Sequence, residues 1–123
     1  MAEPVVAAGG DRVVETGRKF DAQLEVAELD ERGRPSAPWS ARGKTLSRSN
    51  IVFFSRRMCY LDKSIVILIH LIDDTPVAIF GSVVSCEYLG DGRYQVDLGL
   101  RPLPSSPELR MWIEARGAGK QRA

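Results

Sequence analysis

The sequence predicts a mainly β fold, a six-stranded antiparallel β-barrel with a C-terminal capping helix. Three observations predict it. Apolar and polar residues alternate with period two along much of the chain, as where Phe20, Ala22, Leu24 and Val26 interleave with Asp21, Gln23 and Glu25. Short clusters of turn formers separate these runs. One helix signature, Ser106-Pro107-Glu108, follows the last of them. Successive strands joined by short turns favour a closed barrel, which leaves no sheet edge unpaired.

Residues 1–17 are rich in small residues and are expected to form a flexible N-terminal arm. The domain proper is expected over residues 18–116, with a disordered tail over 117–123. The first strand runs from Phe20 to Val26. Asp30–Ser40, with two prolines among its turn formers, is a loop from which Trp39 folds back on the core. A second strand covers Ala41–Leu46, a short turn Ser47–Ser49, and a third strand Ile51–Phe54. Arg56–Ser64 is a connection of mixed polarity. Ile65–Ile72 is a continuous, largely β-branched run interrupted only by His70, which predicts a central strand buried on both faces. Asp73-Asp74-Thr75-Pro76 is a turn, because proline cannot serve a central ladder. Val77–Tyr88 is a long strand in which Gly81 marks a bend or bulge. Leu89-Gly90-Asp91-Gly92 is a hairpin turn, and Tyr94–Leu100 the sixth strand. In the helix Leu109, Trp112 and Ile113 share a face and Gly117 is the stop; that face is expected to plug one end of the barrel.

Composition narrows the class. With 123 residues, 44% hydrophobic and 27% charged, the chain has the make-up of one ordinary soluble domain. It is neither mainly disordered nor a disulfide-knotted miniprotein. A net charge of +1 argues against non-specific coating of nucleic acid or membrane. The balance hides a split: residues 12–57 carry ten bases and six acids, residues 58–123 seven bases and eight acids. Cys59, Cys86 and the single His70 lack metal-ligand spacing, and the cysteines are expected to be reduced and buried. The start of the sequence has no secretory pattern, and the longest apolar run falls far short of the roughly 20 residues of a membrane helix. A cytoplasmic location is expected.

No catalytic constellation stands out. His70 lies in the apolar run, where a packed histidine is the better reading, and no nucleophile turn or phosphate-cradling glycine motif is present. No enzyme activity, cofactor or metal is therefore expected. Phe53 and Phe54 beside Arg56-Arg57 could suit single-stranded nucleic acid, but adjacent strand positions face opposite sides, so one ring must be core. No nucleic-acid partner is expected. Arg18-Lys19 and the segment Thr45-Leu46-Ser47-Arg48-Ser49-Asn50 remain, with 25 residues between Lys19 and Thr45. If the first two strands are antiparallel neighbours, both segments lie at one end of the barrel. Cations then stand beside a turn of hydroxyls, a combination suited to a phosphate ester carrying a hydrogen-bonding base.

At these residues the chain resembles the PilZ domain family, six-stranded bacterial barrels that are receptors for cyclic di-GMP. Arg18-Lys19-Phe20-Asp21-Ala22 falls on the family's RxxxR element, and Thr45–Asn50 on its (D/N)xSxxG turn. Gln95-Val96-Asp97-Leu98-Gly99-Leu100 is similar to the family's last strand. The resemblance covers residues 17–103. It implies a non-catalytic signalling module that binds cyclic di-GMP through Arg18, Lys19, Thr45, Ser47, Arg48 and Asn50.

The chain departs from the motif at three positions. Ala22 replaces the second arginine, removing a fork that could grip phosphate and base together. Thr45 replaces the acid that would accept from guanine N–H donors, and Asn50 replaces the last glycine. Losing two such contacts, each worth about 1.5–3 kcal/mol, would weaken binding by roughly two to four orders of magnitude. Lys19 or Arg48 could compensate. The residues also have plainer readings: Arg18 and Lys19 as protection of a strand edge, Thr45 and Ser47 as turn formers. The alternative function is a nucleotide-blind PilZ barrel that acts only through contacts with an unidentified protein partner. In either case a chain this short leaves the output to that partner.

Overall fold

The computed structural model describes residues 17–70 and 76–117. The arm before Gly17, the end of the predicted strand at Leu71-Ile72, the turn residues Asp73-Asp74-Thr75 and the tail beyond Gly117 lie outside the described residues. Seven strands and one helix follow in order: β1 (Arg18–Lys19), β2 (Gln23–Glu28), β3 (Trp39–Leu46), β4 (Asn50–Ser55), β5 (Ser64–His70), β6 (Val77–Gly90), β7 (Arg93–Arg101) and α1 (Pro107–Ala115). Every pairing is antiparallel. The six longer strands run β3-β2-β5-β6-β7-β4, and pairing of β4 back onto β3 closes the barrel.

Alternation decides which side chains fill it. Leu24 and Val26, Ile51 and Phe53, Ile65, Ile67 and Ile69, Val83, Val96 and Leu98 form one interior cluster with Cys59. β5 is buried on both faces, as its continuous apolar run predicts. On its outward face Val66 stands in register between Ala27 of β2 and Phe80 of β6. These three, with Leu29, receive Leu109 of α1, and Trp112 and Ile113 pack at the margin. The helix thus caps the outer wall of the barrel and not an open end. Its own limits follow the local chemistry: the Ser106 hydroxyl accepts from the Leu109 amide at 3.3 Å, and Gly117 ends the helix at φ +92°.

Turns and irregularities set the remaining geometry. Asp91 (φ +56°) and Gly92 (φ +73°) form the two-residue loop between β6 and β7, both left-handed as a type I′ turn requires. β6 is irregular at Val84, between the paired residues Val83 and Ser85, and again at Leu89, between Tyr88 and Gly90, and not at Gly81. Gly81 instead serves a close approach, since a Cβ there would overlap the Gly99 carbonyl. Trp39 begins β3 and lies against the interior, its indole N–H donating to the Ser55 hydroxyl at 3.1 Å.

Cys59 is free and fully buried, while Cys86 is free and partly buried. Burial pushes the Cys59 thiol up to about 12, so it stays protonated and unreactive near neutrality. A raised folded-state pKa gives stability that is complete below the unfolded value, near 9, and is lost as pH rises towards 12. Wild type is therefore expected to lose more stability than Cys59→Ala between pH 8 and pH 10.5, measured by urea unfolding at each pH. Equal losses would show that the buried thiol carries no such linkage.

Candidate functional site

The site begins where the N-terminal cations meet β3. Arg18 pairs with Leu46 and Lys19 with Thr45, so β1 prolongs the line of β2 along β3. Between them Phe20–Ala22 leaves the regular ladder but stays tied to β3: the Phe20 amide donates to the Lys44 carbonyl, and the Gly43 amide to the Ala22 carbonyl, each at 2.8 Å. This crossing needs glycine at 43, where a Cβ would stand 2.5 Å from the Phe20 carbonyl oxygen. β3 is irregular at the same place, with Lys44 as the extra residue between Gly43 and Thr45. The two segments singled out in the sequence are therefore adjacent at one end of the barrel.

The Ser47 turn is built by its own hydroxyl. Ser47 Oγ accepts from the Asn50 amide at 3.1 Å and the Ser49 amide at 3.3 Å, and the Ser47 amide donates to the Asn50 carbonyl at 2.8 Å. The Ser49 carbonyl accepts from the Leu100 amide at 2.8 Å, which fixes the turn to β7. Asn50 reaches the other way, its Nδ2 donating to Asp97 Oδ1 at 2.6 Å. Ser47 and Asn50 are thus engaged in holding the turn. Arg18, Lys19 and Arg48 stand exposed around it.

Two further charged residues belong to this end of the molecule. Asp97 stands in register with Val52, which is itself opposite Thr45, so an acid lies two strands from the position where the motif lacks one. Asp21 holds Arg42 through a 2.6 Å bond to Nε. That bond and the Arg42 charge keep the Asp21 carboxyl below its ordinary range, with a smaller contribution from Lys19. The sequence shows Asp97 as a polar position in an alternating strand, but only the register places it beside Val52. The arrangement offers three exposed cations around a hydrogen-bonded, serine-rich turn, with no nucleophile–base pair among them.

The other residues singled out in the sequence do not join this site. Phe53 is wholly interior and Phe54 faces outward, as adjacent strand positions must. Arg57 stacks on Trp39, its guanidinium 4.4 Å from the ring centroid. His70 is not the packed histidine its apolar run suggests: it sits exposed at the end of β5, with Nε2 3.2 Å from Glu25 Oε1. Among the described residues there is no group of side chains that could hold a metal ion. Among them, too, no helix is long and apolar enough to cross a membrane. No protein-family model matches the sequence, and no curated protein matches it.

Proposed function

We propose that the protein is a PilZ-type signalling module of a bacterial cytoplasm, acting without catalysis as a receptor for cyclic di-GMP. One observation carries the reading: the Arg18-Lys19 strand lies against Thr45-Leu46, beside the Ser47 turn. A phosphodiester would meet the Arg18, Lys19 and Arg48 charges there, and a guanine edge would meet Thr45 and the backbone of the turn. The barrel supports this by holding both segments on β3, so that the ligand finds a formed site.

A second reading is favoured by how the turn is made. The Ser47 hydroxyl and the Asn50 amide are committed within the protein, and Ala22 and Thr45 offer no charge. On this view the module binds no nucleotide and works by contact with a protein partner. Titration calorimetry with cyclic di-GMP separates the two. The receptor reading expects a dissociation constant in the micromolar range, abolished by Arg18→Ala. No heat at about 100 μM ligand, where a micromolar site would be saturated, would leave only the adaptor.

A further inference from the structure

The outer wall of β3, β4 and β7 carries a second cluster of charge, built from residues that the proposed receptor site does not use. A cavity of about 430 Å³ opens there, lined chiefly by Gln23, Ser40, Arg42, Phe54, Arg56 and Arg93. Its size lies within the range of small-molecule sites, about 300–1,000 Å³. Register explains the grouping. Gln23, Arg42, Phe54 and Gln95 lie opposite one another across four strands, and Arg56 and Arg93 follow side by side just beyond the Ser55–Tyr94 pair.

The cations are held from outside the cavity. Arg42 is bound by Asp21 at 2.6 Å, Arg56 donates to the Asp91 carbonyl at 3.1 Å, and Lys44 to Gln95 Oε1 at 2.8 Å. A guanidinium has five N–H donors, so Arg42 and Arg56 keep most of theirs for a ligand. No acid lines the cavity. Phe54 is half-buried. Lys44 and Arg93 each stand 5.6 Å from its ring centroid, close to the outer limit of about 6 Å for cation–π contact. The structural stacks of this protein are tighter, at 4.4 Å for Arg57 on Trp39 and 4.3 Å for Arg116 on Trp112. The Phe54 ring is thus attended by cations but not closed over by them.

From this geometry we infer that the cavity binds a nucleoside phosphate. The base packs on Phe54 and is bounded by the Arg93 guanidinium. The phosphate is taken by the remaining donors of Arg42 and Arg56, and Gln23 and Ser40 meet the base edge. Inorganic phosphate would leave the ring unused. An acidic peptide would answer the charge but not the pairing of a flat ring with polar amide and hydroxyl groups. The same chemistry comes from a free nucleotide or from one unit of a single strand. Balanced net charge does not oppose it, because the charge that matters is local.

The test is an NMR titration of the full-length, isotope-labelled protein with GMP, a short oligouridylate, inorganic phosphate and a glutamate-rich peptide. Saturable shifts around Phe54, Arg56 and Arg93 are expected with GMP or the oligonucleotide. Phe54→Leu and Arg93→Gln should each weaken them roughly fivefold or more. Arg93 is exposed, so its variant tests the site without touching the core. Binding of the oligonucleotide alone, falling steeply with salt, would identify a strand as the source; comparable binding of GMP would identify free nucleotide. Phosphate binding as tightly as GMP, the peptide binding in place of both nucleotides, or no saturable shift would each overturn the proposal. Arg18→Ala should leave these shifts unchanged, so this site and the receptor site succeed or fail separately.

Discussion

Gly81→Ala is expected to cost about 3 kcal/mol or more and to loosen the pairing of β6 with β7. Gly81 is buried and stands in register with Leu100 on one side and Ile65 on the other. A Cβ built there overlaps the Gly99 carbonyl oxygen, lies 2.9 Å from its carbon and 3.0 Å from Leu98 Cγ. Two of those atoms are backbone and cannot rotate away, so β7 itself must shift. β7 is also the partner of β4, and the strain spreads to the closure of the barrel. Gly90→Ala is the control. Gly90 has φ +97° but no atom within 4 Å of a Cβ, so its substitution costs only backbone strain, about 1 kcal/mol. Urea unfolding of both variants checks the difference. Equal midpoints would mean that β7 moves away from residue 81 at little cost.

The fold was legible because its strands obey simple alternation and its turns carry the residues their geometry demands. Asp91-Gly92 and Ser106-Pro107 each announce a structure that only those residues make easily. Alternation is silent where the chain leaves the ladder without breaking the pattern. Phe20 and Ala22 keep perfect period two, yet Phe20–Ala22 crosses over Gly43 and separates β1 from β2. The first strand is therefore displaced, running from Gln23 to Glu28. The bulge escaped for a related reason. Glycine is the usual sign of one, but here Gly81 answers a steric need, and the extra residues are Val84, left 57% exposed, and Leu89. The seat of the helix had a signal. Ala27, directly after the interior Val26, and Val66 in the unbroken run of β5 put apolar side chains on the outer face, which some later element had to cover.

The candidate site was legible as a neighbourhood and not as a set of partners. Spacing placed Arg18-Lys19 beside Thr45-Leu46, because antiparallel neighbours bring the start of one strand to the end of the next. It could not show that the Ser47 hydroxyl is spent on amides of its own turn, since a serine in a turn looks the same whether it faces the ligand or the backbone. Nor could it show that the cations of the Phe54 cavity converge. Gln23, Arg42, Phe54 and Arg93 come from four different strands, and their meeting depends on the order in which the barrel closes.

Phe53 and Phe54 give the sharpest contrast, because one chain position separates two unlike roles. Phe53 has no exposed surface, faces the interior and lies opposite Val96 and Gly43. Phe53→Ala leaves a cavity that closed walls cannot collapse, and is expected to cost about 3–5 kcal/mol. That is a large share of the 5–15 kcal/mol by which domains of this kind are usually stable. Phe54→Ala removes a half-buried ring from the outer wall, where solvent fills the space, and should cost about 1 kcal/mol. Urea denaturation reads both, and an unchanged slope with a lower midpoint would assign the loss to the folded state. If Phe54→Ala proved as damaging as Phe53→Ala, the ring would be a part of the packing and not a floor open to ligand. If it folds well, any loss of nucleotide binding in that variant belongs to the cavity itself.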